Sequence, residues 1–269
     1  MSSRSFCPSW RTAVGVGMAG LLALVTLAGP ARAGDPDRFS GERAMAWLEA
    51  QCDLGPRPPG SPALERLRRL IEAHADSLGL PCRRQCFTTS DPLGGGTIEV
   101  CNLIVSCGPA GGARLWFGAH YDTRPIADKD PDPERRDEPI LGANDGASGV
   151  AVLLHLMELL AETPPARGVD LLFFDGEDSG PAGDHEGFCL GSRHLAATWR
   201  DFGSPLAGGD PRALVLLDMV GKRDLDIGME GFSYRYAREF TLAVFDRTLA
   251  LGLDAFTPEP AVPVYDDHV

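Results

Sequence analysis

Apolar positions recur at helical spacing in two early stretches of the chain. Ser40 is placed to cap a helix running to about Cys52, and Gly55-Pro56-Arg57-Pro58-Pro59-Gly60 is a stiff loop. Ser61 followed by Pro62 has the chemistry of an N-cap with proline at the first helical position. Leu64, Leu67, Ile71, Ala75 and Leu78 then share one helical face until Gly79. From Pro81 the pattern becomes that of strands. Residues 82–89 and 97–107 flank Gly94-Gly95-Gly96, which predicts a hairpin or loop. That glycine run lacks the Lys-Ser/Thr pair and following helix of a phosphate cradle. Residues 113–119 predict a further strand, ending at His120-Tyr121-Asp122, and 123–140 a polar loop rich in Pro and Asp. Val150, Leu153, Leu154, Met157 and Leu160 mark the buried stripe of a helix over about 147–161, in which His155 reads as a packing or surface residue. Residues 168–174 form a short apolar strand that runs into Asp175-Gly176-Glu177-Asp178, and 212–217 another that ends at Asp218. Strands alternating with helices predict an α/β sheet with helices on both faces.

The first 33 residues stand apart from this pattern. Arg4 and Arg11 precede an apolar run from Ala13 to Gly29, and Ala31-Arg32-Ala33 fits a small-x-small cleavage site. This is the layout of a secretory signal peptide. It has no twin Arg, and no Cys follows Leu27-Ala28-Gly29, so the expectation is a protein exported to the periplasm or secreted, without a lipid anchor. No later run is long and apolar enough to span a bilayer. Residues 34–269 are then expected to form a single domain.

The formal net charge is −13, and loss of the signal segment removes three arginines and no acids. So acidic a chain excludes nucleic acid as a natural partner and suits a cationic one, such as a peptide with a free amino terminus. Cys7 leaves with the signal, and Cys52, Cys82, Cys86, Cys101, Cys107 and Cys189 remain. An even number in an exported protein is compatible with disulfides. Cys101 and Cys107 lie in one predicted strand, roughly 20 Å apart at about 3.3 Å per residue, so they cannot pair with each other. Either could reach Cys82 or Cys86 on a neighbouring strand. No Cys-x-x-Cys pair supports a cysteine zinc site.

Carboxylates are rarely buried without compensation of their charge. Here they cluster at strand ends: His120 with Asp122, Asp145 before a helix, Glu177 with Asp178, and Asp218. In open α/β sheets these ends meet in one crevice. An imidazole with several carboxylates suits zinc, with one acid spare for proton transfer.

Gly118-Ala119-His120-Tyr121-Asp122, Gly142-Ala143-Asn144-Asp145-Gly146-Ala147-Ser148-Gly149-Val150 and Asp175-Gly176-Glu177-Asp178 resemble the zinc exopeptidases called M28 peptidases. Phe173–Asp178, Gly191-Ser192-Arg193-His194-Leu195-Ala196 and Asp266-Asp267-His268 are similar to the glutaminyl-peptide cyclotransferase branch. The resemblance implies a three-layer αβα fold with a mixed, mostly parallel central sheet. It implies that Asp145 and Asp178 hold zinc, Asp178 standing where the family usually has Glu, and that Glu177 is the general acid/base. It gives Asp218 and Asp266 to an acidic network that handles the proton. His120 matches a ligand of the second zinc in two-metal aminopeptidases, where Asp218 would bind that metal too. The implied cofactor is one zinc ion for a cyclotransferase and two for an aminopeptidase. The implied substrate is a peptide or protein with a free N-terminus, cyclised at an N-terminal Gln or hydrolysed at its first peptide bond.

Three departures from the pattern qualify this. The family's third zinc ligand is a His well downstream of Asp-Asp-His, so the expectation is a domain incomplete at its C-terminus, with His268 matching the network motif instead. The cyclotransferases carry a Trp soon after the acidic pair, whereas Ser179-Gly180-Pro181-Ala182-Gly183 has none; Phe188 and Trp199 are expected in the core. Gly191–Ala196 predicts a helix start with Arg193 in an ion pair, and His185 with Glu186 a solvated loop. A degenerate, non-catalytic peptide-binding protein is the remaining alternative.

Overall fold

The computed structural model describes residues 38–200 and 211–269, so the expected signal segment lies outside the described residues. Helix α1 (Gly41–Cys52) starts where Ser40 accepts a hydrogen bond from the Arg43 N–H, and α2 (Pro62–Ser77) where Ser61 accepts one from Leu64. Strands β1 (Cys82–Ser90) and β2 (Thr97–Cys107) form the expected hairpin, its turn held by Asp91, whose carboxylate accepts the N–H groups of Leu93 and Gly95. Then come β3 (Arg114–His120), α3 (Ala147–Glu162), β4 (Val169–Phe174), α4 (Leu190–Thr198) and β5 (Pro211–Leu216).

These strands make one sheet in the order β1-β2-β4-β3-β5. β2 runs antiparallel to both neighbours, while β4, β3 and β5 are mutually parallel. The sheet is therefore mixed, with β2 alone against the common direction. Side chains alternate across it as the pleat demands. Leu103, Val105, Leu171 and Phe173 face a core shared with α2 and α3, whereas Ile104, Leu172, Phe174 and Trp116 face Leu195 of α4. Helices thus cover both faces, as expected.

The expected strand over 212–217 begins and ends one residue earlier. The last part, beyond Asp218, forms β6 (Ile227–Met229), α5 (Gly231–Tyr236), α6 (Arg238–Ala250) and β7 (Phe256–Pro260), with β6 and β7 paired in a separate two-stranded sheet. The periodicity had predicted none of these. Helix α5 is capped by Glu230, whose carboxylate takes the Phe232 and Ser233 N–H groups, and glutamate is not among the usual N-cap residues.

Cys86 and Cys101 face each other across the β1–β2 ladder and form a disulfide. His155 serves packing, as expected: its ring accepts the Ser40 N–H and meets Glu158. Arg193, expected in an ion pair, instead donates to the Glu186 carbonyl at 2.8 Å. That contact ties the start of α4 to the loop before it.

Two buried ion pairs tie the elements together, one between neighbouring strands and one between a helix and the sheet. Arg114 of β3 meets Asp170 of β4, which also accepts from Ser106 and Trp116. Arg68 of α2 reaches Asp175, just past β4, at 2.6 Å, and donates to the Tyr121 hydroxyl, also at 2.6 Å. The same Asp175 oxygen accepts the Cys101 N–H at 2.8 Å. Removing one partner of such a pair leaves an uncompensated charge in the core. We expect Arg68→Met to lower unfolding free energy by about 3–5 kcal/mol, read by urea denaturation.

Glu158, bonded to Arg43, His155 and Trp47, titrates at about 2 instead of its ordinary 4.5; those bonds outweigh the opposing effect of burial. A depressed carboxylate contributes stability that is present above its unfolded pKa and is lost as pH falls through the folded one. Glu158→Gln should therefore narrow the difference in melting temperature between pH 5 and pH 2, as followed by circular dichroism.

Candidate metal centre and acid cluster

Because β4, β3 and β5 are parallel, their carboxyl ends lie at one edge of the sheet, where Phe174 pairs with His120 and Leu216 with Gly118. The chain leaves that edge as His120–Asp122, Asp175–Asp178 and Leu217–Asp218. Asp145 comes from the loop that opens α3. Its backbone is held by Arg57, a fully buried guanidinium that donates to the carbonyls of Gln51, Gly55, Leu141 and Gly142. Gly146 follows at φ 90°, and a Cβ there would lie 2.6 Å from the Asp122 carbonyl and 3.2 Å from the His120 ring. Only glycine lets the helix start come so close to the histidine.

His120 is buried, with Nε2 3.1 Å from an Asp145 oxygen and 3.3 Å from an Asp218 oxygen, and Nδ1 3.5 Å from Asp122. These approaches are close but poorly directed, so neither ring nitrogen has a hydrogen-bond partner, and one Asp218 oxygen is equally orphaned. Burial lowers the imidazole's affinity for a proton, but Asp122, Asp145 and Asp218 outweigh it and hold His120 well above its ordinary value. The histidine in turn draws Asp145 downward. Donor atoms of His120, Asp145 and Asp218 all lie within 4.8 Å of one another. One imidazole and two carboxylates with unmet bonding capacity fit a zinc ion. This set joins His120 and Asp218, the pair expected on the second metal of an aminopeptidase, with Asp145, which was expected on the first.

Asp178, expected beside Asp145 on the metal, accepts a hydrogen bond from Arg124, whose Nη1 donates to Oδ1 at 2.6 Å. The rest of that guanidinium forks onto Asp128. Burial pushes Asp178 up to about 6 against the pull of Arg124. Asp122 sits beneath both acids of the motif, accepting the Glu177 N–H at 3.2 Å and the Asp178 N–H at 3.3 Å.

The Glu177 side chain belongs to a second group. Its carboxylate accepts from the Cys189 thiol at 3.7 Å, and donor atoms of Glu177, Cys189 and Asp266 again lie within 4.8 Å of one another. Burial pushes Glu177 up to about 9 against His120, with Asp267, Asp122 and Asp266 adding to the push. Asp266 is raised by burial and by Asp218. Asp267 is buried with both oxygens unpartnered, and burial with Asp266 pushes it up to about 8. His268 is committed elsewhere, 2.9 Å from Glu230.

A cavity of about 610 Å³ opens beside Asp145 and Asp178, walled by Arg124, His185, Phe188 and Tyr265. Phe188, expected in the core, lies on this wall with the Arg124 guanidinium 5.5 Å from its ring centre. Its place is exchanged for a cation–π contact at the site. Trp199 does pack inward, edge-on to Trp116. His185, read as part of a solvated loop, is exposed but meets Tyr265 in a tilted ring contact at 5.1 Å.

Of the expected site residues, His120, Asp145 and Asp218 meet in one cluster and Glu177 with Asp266 in the adjoining one, whereas Asp178 joins neither. Arg124, Cys189 and Asp267 were not foreseen in these contacts. The signal for Arg124 was its position two residues after Asp122, in a loop read as merely solvated.

Residues 102–269 match the model of peptidase family M28. A mouse glutaminyl-peptide cyclotransferase-like protein is 30% identical over 239 residues, covering 79% of this chain and 59% of its own length. The chain thus spans about three fifths of that curated relative. Among solved structures, the glutaminyl cyclase of Porphyromonas gingivalis shares 34% identity at TM-score 0.79, over 86% of this chain and 78% of that one. A Zn-dependent exopeptidase from Parabacteroides distasonis shares 29% at TM-score 0.79, over 86% and 79% respectively. The chain belongs to peptidase family M28, and its relatives include both glutaminyl cyclases and zinc exopeptidases.

Proposed function

We propose that this chain belongs to a zinc-dependent glutaminyl-peptide cyclotransferase, exported by its first 33 residues, that converts the N-terminal Gln of peptides to pyroglutamate with release of ammonia. The observation that carries this reading is the placement of Glu177. It is a half-buried carboxyl, within 4.8 Å of Asp266 and within the field of His120, at the strand edge where an imidazole and two carboxylates gather. The cyclases among the relatives support the choice of reaction.

Asp145 is common to both ligand sets that the chain offers. With Asp178 it would form part of a one-zinc site, and with His120 and Asp218 it makes the group whose donor atoms already meet. A bound zinc would act as a Lewis acid on the γ-amide carbonyl of the substrate glutamine. The protein does the rest. The cavity carries Asp128, Asp130, Asp145, Asp178 and Asp184 against Arg124 and Lys129, so its net negative charge draws in the ammonium of a free amino terminus. The raised proton affinity of Glu177 would be countered by a zinc ion nearby, which favours its carboxylate; in that form it takes a proton from the α-amine as that nitrogen closes the five-membered ring, and returns it to the departing ammonia. Asp218 and Asp266 make up the acidic network around this transfer, and the Phe188 and Tyr265 rings line one side of the cavity.

A second reading, a zinc aminopeptidase, is favoured by one observation: His120 and Asp218, the pair expected on a second metal, meet with Asp145 in one donor group. Incubation with a Gln-initiated and a Leu-initiated peptide separates the two. Ammonia and a pyroglutamyl product, without free leucine, are expected; free leucine as the main product would overturn the cyclotransferase reading. Metal analysis should give one zinc per chain for the cyclotransferase and two for the aminopeptidase.

Glu177→Gln should keep zinc yet lose turnover by roughly 10²–10⁴-fold, the range of a positioned acid/base. Wild-type turnover in that variant would remove Glu177 from the proton path. Asp145→Ala should fail to retain zinc in equilibrium dialysis under either reading, because both ligand sets lose a member.

A further inference from the structure

Cys189 has no part in the proton transfer just described, yet the fold places it with care. It holds a left-handed backbone conformation at φ 55°, one of two non-glycine positive-φ residues among the described residues. Its own N–H is fixed on the Glu177 carbonyl at 2.9 Å. The thiol is buried, and its nearest polar company is acidic: the Glu177 carboxylate at 3.7 Å and Asp266 in the same group of donors. Asp267 lies close enough that its charge is the largest electrostatic influence on the thiol. Asp267 is 8% exposed, and neither of its oxygens has a hydrogen-bond partner. A thiol and two carboxyl groups whose donor atoms meet, with the buried Asp267 next in sequence to one of them, offer a cation a set of anionic ligands once their protons are displaced. The other free cysteines, Cys52, Cys82 and Cys107, appear in no such donor group among the described residues.

We propose that Cys189, Glu177 and Asp266 form a second metal site, with Asp267 as its charge partner, that takes a thiophilic divalent cation such as cadmium, or zinc in excess, and that filling it silences Glu177. It differs in chemistry from the His120–Asp145–Asp218 group, which contains no sulfur. A thiolate with two carboxylates is a borderline-soft donor set, matched to these ions and poorly matched to magnesium or calcium. On binding, the thiol proton leaves to solvent and the sulfur ligates as thiolate. The carboxylate of Glu177 then holds a cation and cannot accept the substrate's proton. Binding stands on the geometry alone; only the silencing rests on the role of Glu177 proposed above.

The test is a titration of the purified, zinc-loaded protein with cadmium chloride, followed by ultraviolet difference absorbance for the cadmium–thiolate charge-transfer band and by equilibrium dialysis. One band should grow and saturate with one added equivalent of bound cadmium. It should vanish, with that equivalent, in Cys189→Ala, and persist when Cys52, Cys82 and Cys107 are each replaced by Ala. Cys189→Ser, which keeps the side-chain shape, serves if the Ala variant does not fold, since its oxygen gives no such band. Magnesium should neither compete nor inhibit. No band in the wild type, or an undiminished band in the Cys189 variants, overturns the site. A Cys189-dependent band with unchanged turnover on the Gln- or Leu-initiated peptide leaves the site standing and overturns the silencing. Should neither peptide be turned over at all, the band still decides the site, so failure of the enzymatic reading and failure of this one are told apart.

Discussion

The Arg68–Asp175 ion pair is the constraint on which the active edge depends. Asp175 is the first residue beyond β4, and its carboxylate gathers α2 through Arg68, β2 through the Cys101 N–H and the end of β3 through Tyr121. Asp175 N–H is itself taken by Asn102, whose amide also donates to the Gly191 carbonyl at the start of α4. Helices on both faces are thereby tied to the residue immediately before Gly176-Glu177-Asp178. Such a pair adds little stability over an apolar substitute, but it defines position, because each charge finds its partners in one arrangement only. The two acids that follow emerge from a fixed point.

Asp122 extends this order one layer outward. It holds no orphaned oxygen: one accepts from Glu177 N–H and the other from Asp178 N–H, while His120 Nδ1 lies within 3.5 Å. A carboxylate beside the far nitrogen of a ligating imidazole is the arrangement that orients histidine at metal centres. Here one aspartate aligns the histidine and the acidic turn together. The register of β3 against β4 makes this possible by pairing His120 with Phe174.

The fold was legible in the sequence wherever period and punctuation agreed. Ser61-Pro62 and the apolar stripe to Leu78 specify α2 almost to the residue, and so does the stripe from Val150 for α3. Past Asp218 they do not agree. Helix α6 has no apolar stripe, α5 relies on a glutamate cap, and β6 is too short to show alternation. The chemistry of the site was legible as residue types at strand ends, since topology alone brings His120, Asp145 and Asp218 together. Side-chain choices were not. Whether Asp178 turns to a metal or to a cation depends on Arg124, and whether Phe188 packs inward depends on the same guanidinium. Nothing in local periodicity encodes a contact across 54 residues, the separation of Arg124 from Asp178.

Arg124 also joins two regions electrically. A single guanidinium divides its donors between Asp128, on the loop that walls the cavity, and Asp178, beside the acidic motif. Nε and Nη2 serve Asp128 while Nη1 serves Asp178, so both acids orient one guanidinium, and any coupling between them is equal in the two directions. A ligand that neutralises or displaces Asp128 must change the charge felt at Asp178, and a cation arriving at Asp178 must loosen or tighten the loop around Asp128. The wall of the cavity and the acidic motif thus share one positive charge, that of Arg124.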